Sequence, residues 1–178
     1  MTLLLPDDIA ELVGSEKRLT GRPKWDTRFD PRYFVFTAPL MVENVLIGSL
    51  ELRAKASRQH LDRDALMQLE FVKSVRERIG LARCQWRPFE THTNKGWGPP
   101  GHELRTFRGE SHHHTFEHNY LPDERRMRAG SLPAAIPIDP DPTSLSGFIA
   151  FCGDCFKIRN INLLEIPDAK ADLFWVEK

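Results

Sequence analysis

Val45-Leu46-Ile47-Gly48-Ser49-Leu50-Glu51-Leu52-Arg53-Ala54-Lys55 is the stretch on which the fold turns. Its even positions Leu46, Leu50, Leu52 and Ala54 are apolar, while Ser49, Glu51, Arg53 and Lys55 are polar. Side chains alternate across a strand, so this period of two specifies a strand with one buried and one wet face. Upstream, Tyr33-Phe34-Val35-Phe36-Thr37 is rich in aromatic and β-branched residues and predicts a partner strand, with Asn44 turning the chain between them. Downstream, Met67, Leu69 and Phe71 alternate with Gln68 and Glu70, and Ile79 to Trp86 supplies a further strand. The connections are too short for parallel crossovers, which need a dozen residues or more, so the pattern predicts an antiparallel meander. The last strand changes character midway: Ile79 and Leu81 are apolar, whereas Arg83, Gln85 and Arg87 continue the same positions as polar residues. Either the sheet runs from the core into a polar cleft, or the strand leaves the core for solvent or carries a bulge.

Around this sheet, Pro6-Asp7-Asp8 starts a helix whose Ile9, Leu12 and Val13 share a face, with Gly14 as its stop. Residues 21–31 and 91–101 carry turn formers and read as loops, 102–107 as a short strand and 111–119 as strand or irregular chain. Pro122 to Ala129 predicts a short helix. Pro133, Pro137, Pro140 and Pro142 make an extended connection, after which Thr143 or Ser144 caps a helix bearing Leu145, Phe148, Ile149, Cys152 and Phe156. Residues 161–166 read as an edge strand. The expectation is one α+β domain over 1–178. It has a curved antiparallel sheet in 31–120, a Pro-rich connection at 131–143 and a C-terminal helix at 143–157, the sheet being flanked by the N- and C-terminal helices.

The 178 residues are 40% hydrophobic and 28% charged, with formal net charge +0. A field over the whole molecule cannot hold nucleic acid or an anionic membrane, so any polyanion site must be a local patch. No apolar run approaches the roughly 20 residues that span a bilayer. The three cysteines, without a basic apolar leader, predict a reducing, cytoplasmic setting and no membrane partner.

The unusual polar chemistry lies between His92 and His118, which bracket six of the seven histidines. His92, His112 and His114 are candidate acid–base catalysts for RNA cleavage without a metal or other cofactor. Arg83, Arg87, Arg105 and Arg108 are candidate phosphate clamps, and Trp86 and Trp97 candidate stacking platforms for bases. The alternative is a divalent transition metal. In a strand, His112 and His114 project from one face; in a helix, His114 and His118 do, and Glu117 or Glu110 completes a nitrogen–oxygen shell. The strand version is similar to the cupin pattern of His-x-His followed by Glu, although Glu117 follows too soon and no second cupin motif is present. Cys152-Gly153-Asp154-Cys155 is a Cys-x-x-Cys pair, but a zinc ribbon needs a second pair and Cys84 is the only other cysteine. Cys152 is therefore expected to face the core. The basic run Arg125-Arg126-Met127-Arg128 reads as a solvated face of a short helix rather than a nucleic-acid contact, the alternative being that it borders one.

The order of parts carries a resemblance. Arg78-Ile79-Gly80-Leu81-Ala82-Arg83 is followed by His92-Thr93-Asn94, then His102 and His112-His113-His114, and Phe148-Ile149-Ala150-Phe151-Cys152 closes the series. Across about positions 65–158 this resembles small bacterial and phage domains related to the TumE-type toxins of toxin–antitoxin pairs. The chain has a longer amino-terminal part and a longer Gly/Pro insertion before His102. The resemblance implies RNA or translation as the target and an antitoxin as protein partner, and assigns no catalytic residue. Three functions are thus expected in turn: an RNA-directed toxin-like protein, a non-catalytic interaction or inhibitor module of mobile-element origin, and a cupin-like metal enzyme.

Overall fold

The structure, a computed structural model, describes residues 4–28 and 30–167. Its elements are α1 (Ile9–Gly14), β1 (Lys17–Leu19), β2 (Tyr33–Val42), β3 (Val45–Ser57), β4 (Ala65–Ser74), β5 (Glu77–Trp86), β6 (Thr91–Thr93) and β7 (Thr106–Arg108). They continue with β8 (His112–His114), α2 (Phe116–Asn119), β9 (Tyr120–Leu121), β10 (Arg126–Met127), β11 (Ile136–Pro137) and α3 (Leu145–Cys155). Seven strands form one sheet in the order β1-β2-β3-β4-β5-β8-β11, with β6–β7 and β9–β10 as separate pairs. Every ladder pair is antiparallel. The fold is an antiparallel α+β fold dominated by its sheet.

The meander from β2 to β5 follows the alternation seen in sequence. Glu43 and Asn44, at φ 50° and 64°, make the β2–β3 turn with both central residues left-handed, the geometry whose twist suits a hairpin. Leu52, Ala54, Met67, Leu69, Cys84 and Trp86 point into one core with Ile9 of α1 and with Leu145, Phe148, Ile149 and Cys152 of α3. Trp86 stacks on Phe148 at 6.0 Å. Ser144 caps α3 by accepting from the Gly147 amide at 3.1 Å.

The change of character in β5 is a bulge. Leu69 pairs Ala82 but Glu70 pairs Gly80, so Leu81 is the extra residue, and Leu81 and Ala82 are both buried. Beyond the bulge the odd positions lie on the face away from the core. Arg83 there joins an in-register row, Thr37–Arg53–Gln68–Arg83–His114, that crosses five strands of this second face.

Several expected elements differ. The sheet is wider than 31–120, because Lys17–Leu19 and Ile136–Pro137 form its edges; the Pro-rich connection thus contributes a strand, at the edge position that proline tolerates. Pro122 to Ala129 is not a helix. A 3-10 turn over Pro122–Glu124 stops at Arg125, which is left-handed at φ 47°, and β10 then pairs back on β9. Thr91–Thr93 is a strand rather than loop, paired with Thr106–Arg108. Ile161–Leu163 is a 3-10 turn, not an edge strand.

Candidate functional site

Alternation along β8 sends His112 and His114 to the second face and His113 to the core face. The β6–β7 hairpin covers that end of the second face and brings His92 with it. The His92 ring stacks at 5.4 Å from His112 and meets His114 edge-on at 4.7 Å, while Phe107 lies 4.7 Å from His112. Arg83 completes the group, its Nη2 3.3 Å from His114 Nε2 and donating to the Ser131 carbonyl at 3.1 Å. The three imidazoles expected to work together do therefore meet, beside one of the expected arginines.

They meet inside the protein, because His112 and His114 are 0% and 1% exposed. His112 Nδ1 lies 2.8 Å from the Glu110 carbonyl, which can only accept, so the proton sits on Nδ1 and the Nε2 lone pair is free. Burial pulls the His112 imidazole down to about 4 and, with the Arg83 charge, holds His114 well below the usual histidine range. Burial likewise lowers His92 and Arg83. The rings are neutral at pH 7. Among the described residues, the buried side-chain atoms without a partner are His112 Nε2, His114 Nδ1 and Arg83 Nε, all in this one knot.

Asn94 ties the knot to the sheet edge. Its Nδ2 donates to the carbonyls of His102 and Ala135 at 2.8 and 2.7 Å, and its Oδ1 accepts from the Ala135 amide at 2.8 Å. His92 Nε2 lies 3.0 Å from the same Oδ1. Asn119 holds the preceding residue in the same way, bonding both the amide and the carbonyl of Ala134. Two buried side-chain amides thus act as a strand would for the segment that leads into β11.

The remaining expected arginines are elsewhere. Arg87, Arg105 and Arg108 line a cleft of about 840 Å³ with Arg63, Glu110, Asp139 and Asp141. Arg87 is taken up by Asp141, through Nε at 2.8 Å and Nη2 at 2.7 Å, and Arg105 by Glu110 at 2.9 Å. Four arginines here face three carboxylates. Trp86, expected to stack on bases, is 1% exposed and donates its indole proton to the Pro142 carbonyl at 2.8 Å; it is a core residue. Trp97 is 47% exposed, with the Arg128 guanidinium 4.4 Å above its ring.

A second groove, of about 480 Å³, lies on the second face and is lined by Arg53, Arg78, Arg126 and Arg128 with Glu70. Arg78 and Arg53 reach Glu70 at 3.3 and 3.7 Å, while Glu51 and Glu124 pair with Arg78 and Arg126 from beside the groove. Ser131, which lines the groove, is the residue whose carbonyl holds Arg83. Arg53 and Arg78 were missed as site residues in the sequence. The wet face of β3 was the available signal for Arg53, and the basic run was the signal for Arg126 and Arg128.

The expected metal set of His112, His114, Glu117 and His118 is not assembled. His112 and His114 face the knot, Glu117 lines a cavity on the opposite side of β8, and His118 Nδ1 is 2.9 Å from the Thr115 hydroxyl. The one metal-compatible group among the described residues is Cys84, His113 and Cys155, whose donor atoms all lie within 4.8 Å of one another. The three cysteines are free thiols. Burial, reinforced by Cys152, pushes the Cys84 thiol well above its ordinary range, and a hydrogen bond that the Cys155 thiol donates to Cys84, together with burial, raises Cys155. No helix among the described residues is long and apolar enough to cross a membrane. No family model, curated protein or solved structure matches the chain.

Proposed function

We propose that the chain is an RNA-directed protein of toxin-like type that holds single-stranded RNA along the second face of its sheet. The observation that carries the reading is the groove where Arg53, Arg78, Arg126 and Arg128 gather, with Glu70 among them and Glu51 and Glu124 pairing from its side, continuous with the row Arg53–Gln68–Arg83–His114. Guanidinium forks suit phosphate oxygens, and a neutral protein needs such a local patch to hold a polyanion. Trp97, exposed beside Arg128, offers a ring on which a base can stack. The reading takes the sheet as curved and flanked by α1 and α3, which leaves the second face for the ligand.

Cleavage by His112 and His114 is not part of this reading. A general acid or base must come within hydrogen-bond reach of the substrate, and these two rings are enclosed and neutral. In this reading they fix the β6–β7 hairpin over β8 and so set the edge of the binding face.

The test is fluorescence anisotropy with a labelled single-stranded RNA. An Arg126→Ser/Arg128→Ser chain is expected to bind about tenfold more weakly or worse, equivalent to ~1.4 kcal/mol. An Arg63→Ser/Arg108→Ser chain, altered in the other cleft, should stay within about twofold of wild type on the same scale. Absence of binding by the wild type, or equal losses from the two pairs, refutes the assignment.

An antitoxin-type protein partner is the second reading. Val45, Leu46 and Val75 are exposed at the β2–β3 and β4–β5 turns, which the meander puts at one end of the sheet. A chain with all three changed to Lys that still formed the complex would exclude this surface.

A further inference from the structure

We propose that Cys84, His113 and Cys155 form a Zn²⁺ site with its fourth position open to an adjoining pocket that reaches the surface. Three elements distant in sequence supply the donors: β5 gives Cys84, the neighbouring strand β8 gives His113, and the C-terminal end of α3 gives Cys155. Cys84 and His113 are directly paired across the ladder, so both side chains leave the sheet on the core side, where α3 packs. Cys155 Sγ lies 3.8 Å from His113 Nδ1, and all three donor atoms fall within 4.8 Å of one another. An ion about 2.0–2.3 Å from each nitrogen and sulfur of a tetrahedral shell separates its ligands by a comparable span.

The donor set selects the ion. Two sulfurs and an imidazole nitrogen suit Zn²⁺ and disfavour Mg²⁺ and Ca²⁺, which take oxygen shells. On binding, each thiol releases one proton to solvent and His113 offers its Nδ1 lone pair with the other ring nitrogen protonated. Phe151, edge-on to the His113 ring at 5.6 Å, helps fix the ring's orientation. The close packing of Gly153 on Ile161 similarly fixes the end of α3 that carries Cys155.

The site is of the open kind. Cys152, the other half of the Cys-x-x-Cys pair, is fully buried in the core and stands outside the three-donor group. A cavity of about 250 Å³ touches all three donors and is lined also by Leu69, Phe116, Glu117 and Lys157. Structural zinc sites have four protein ligands, whereas three protein donors beside a cavity leave the fourth position to water or a small ligand. Glu117 is a carboxylate available to hydrogen-bond such a water.

The experiment uses the full, untagged, reduced chain. Metal content by mass spectrometry is expected to give one equivalent of zinc. Replacement by Co²⁺ should give thiolate-to-cobalt charge-transfer bands and the visible bands of a tetrahedral site. Cys155→Ser and His113→Ala, both outside the fully buried core, should each weaken Co²⁺ binding by about 100-fold or more. Cys152→Ser should retain the ion. Absence of both zinc and the cobalt bands in the wild type overturns the proposal without any variant. So does an unchanged affinity in Cys155→Ser and His113→Ala, or a disulfide among the cysteines of the native chain. Loss of the ion in folded Cys152→Ser overturns the open fourth position.

Discussion

Replacing Asn94 by Ala removes a side chain that is 1% exposed and that satisfies both backbone groups of Ala135, itself 0% exposed. The Ala135 amide and carbonyl then have no partner, and each buried orphan costs about 1–3 kcal/mol, so the expected loss is ~2–6 kcal/mol. The His102 carbonyl and the His92 ring, both only partly buried, can turn to water and add little. Against a typical stability of about 5–15 kcal/mol, the loss should be visible as a large downward shift of the unfolding midpoint. Equilibrium urea unfolding followed by tryptophan fluorescence measures it, with the exposed neighbour Thr93→Ala as the reference substitution. A loss below about 1 kcal/mol, or one equal to that of Thr93→Ala, would refute the idea that a side-chain amide stands in for a missing strand.

Two further outcomes follow from groups already described. His112 titrates at about 4 in the folded protein against an ordinary 6.5, so between those values the unfolded chain binds the extra proton. Its contribution is complete above 6.5 and is lost as pH falls toward 4, amounting to about 3 kcal/mol. Stability measured from pH 7 to 4 should fall more steeply in the wild type than in His112→Gln; parallel curves would exclude the neutral buried ring as the cause. At Gly153 an added Cβ would lie 2.4 Å from Ile161 Cγ2, so Gly153→Ala is expected to cost about 1–3 kcal/mol. Ile161→Ala should relieve part of that cost in the double variant, and simple additivity of the two would contradict the steric explanation.

The four central strands and α3 were legible because alternation and capping are local properties of the chain. Leu52, Ala54, Met67 and Leu69 announce their faces by spacing alone, and Thr143-Ser144 announces the helix start to within one residue. The bulge at Leu81 was visible only as an irregularity, since whether an extra residue is accommodated depends on the partner strand. β11 was hidden because proline masks a strand that the asparagine clamps and β8 hold in place. The meeting of His92, His112 and His114 was anticipated from residue type. Their enclosure was not, because the hairpin that covers them is set by tertiary contacts of Phe107. The Cys84–His113–Cys155 group was missed for a related reason: the cysteine pair was weighed as a linear motif, whereas the third donor comes from a paired strand.

The salt dependence of RNA binding bears most directly on the second face as a phosphate-holding surface. Four arginines engaging phosphates of a single strand release counterions, so a plot of log affinity against log salt should have a slope of about −3, from ~0.7 per contact. The Arg126→Ser/Arg128→Ser chain should bring the slope to about half that value. A slope near zero in the wild type, or one that the double substitution leaves unchanged, contradicts the account.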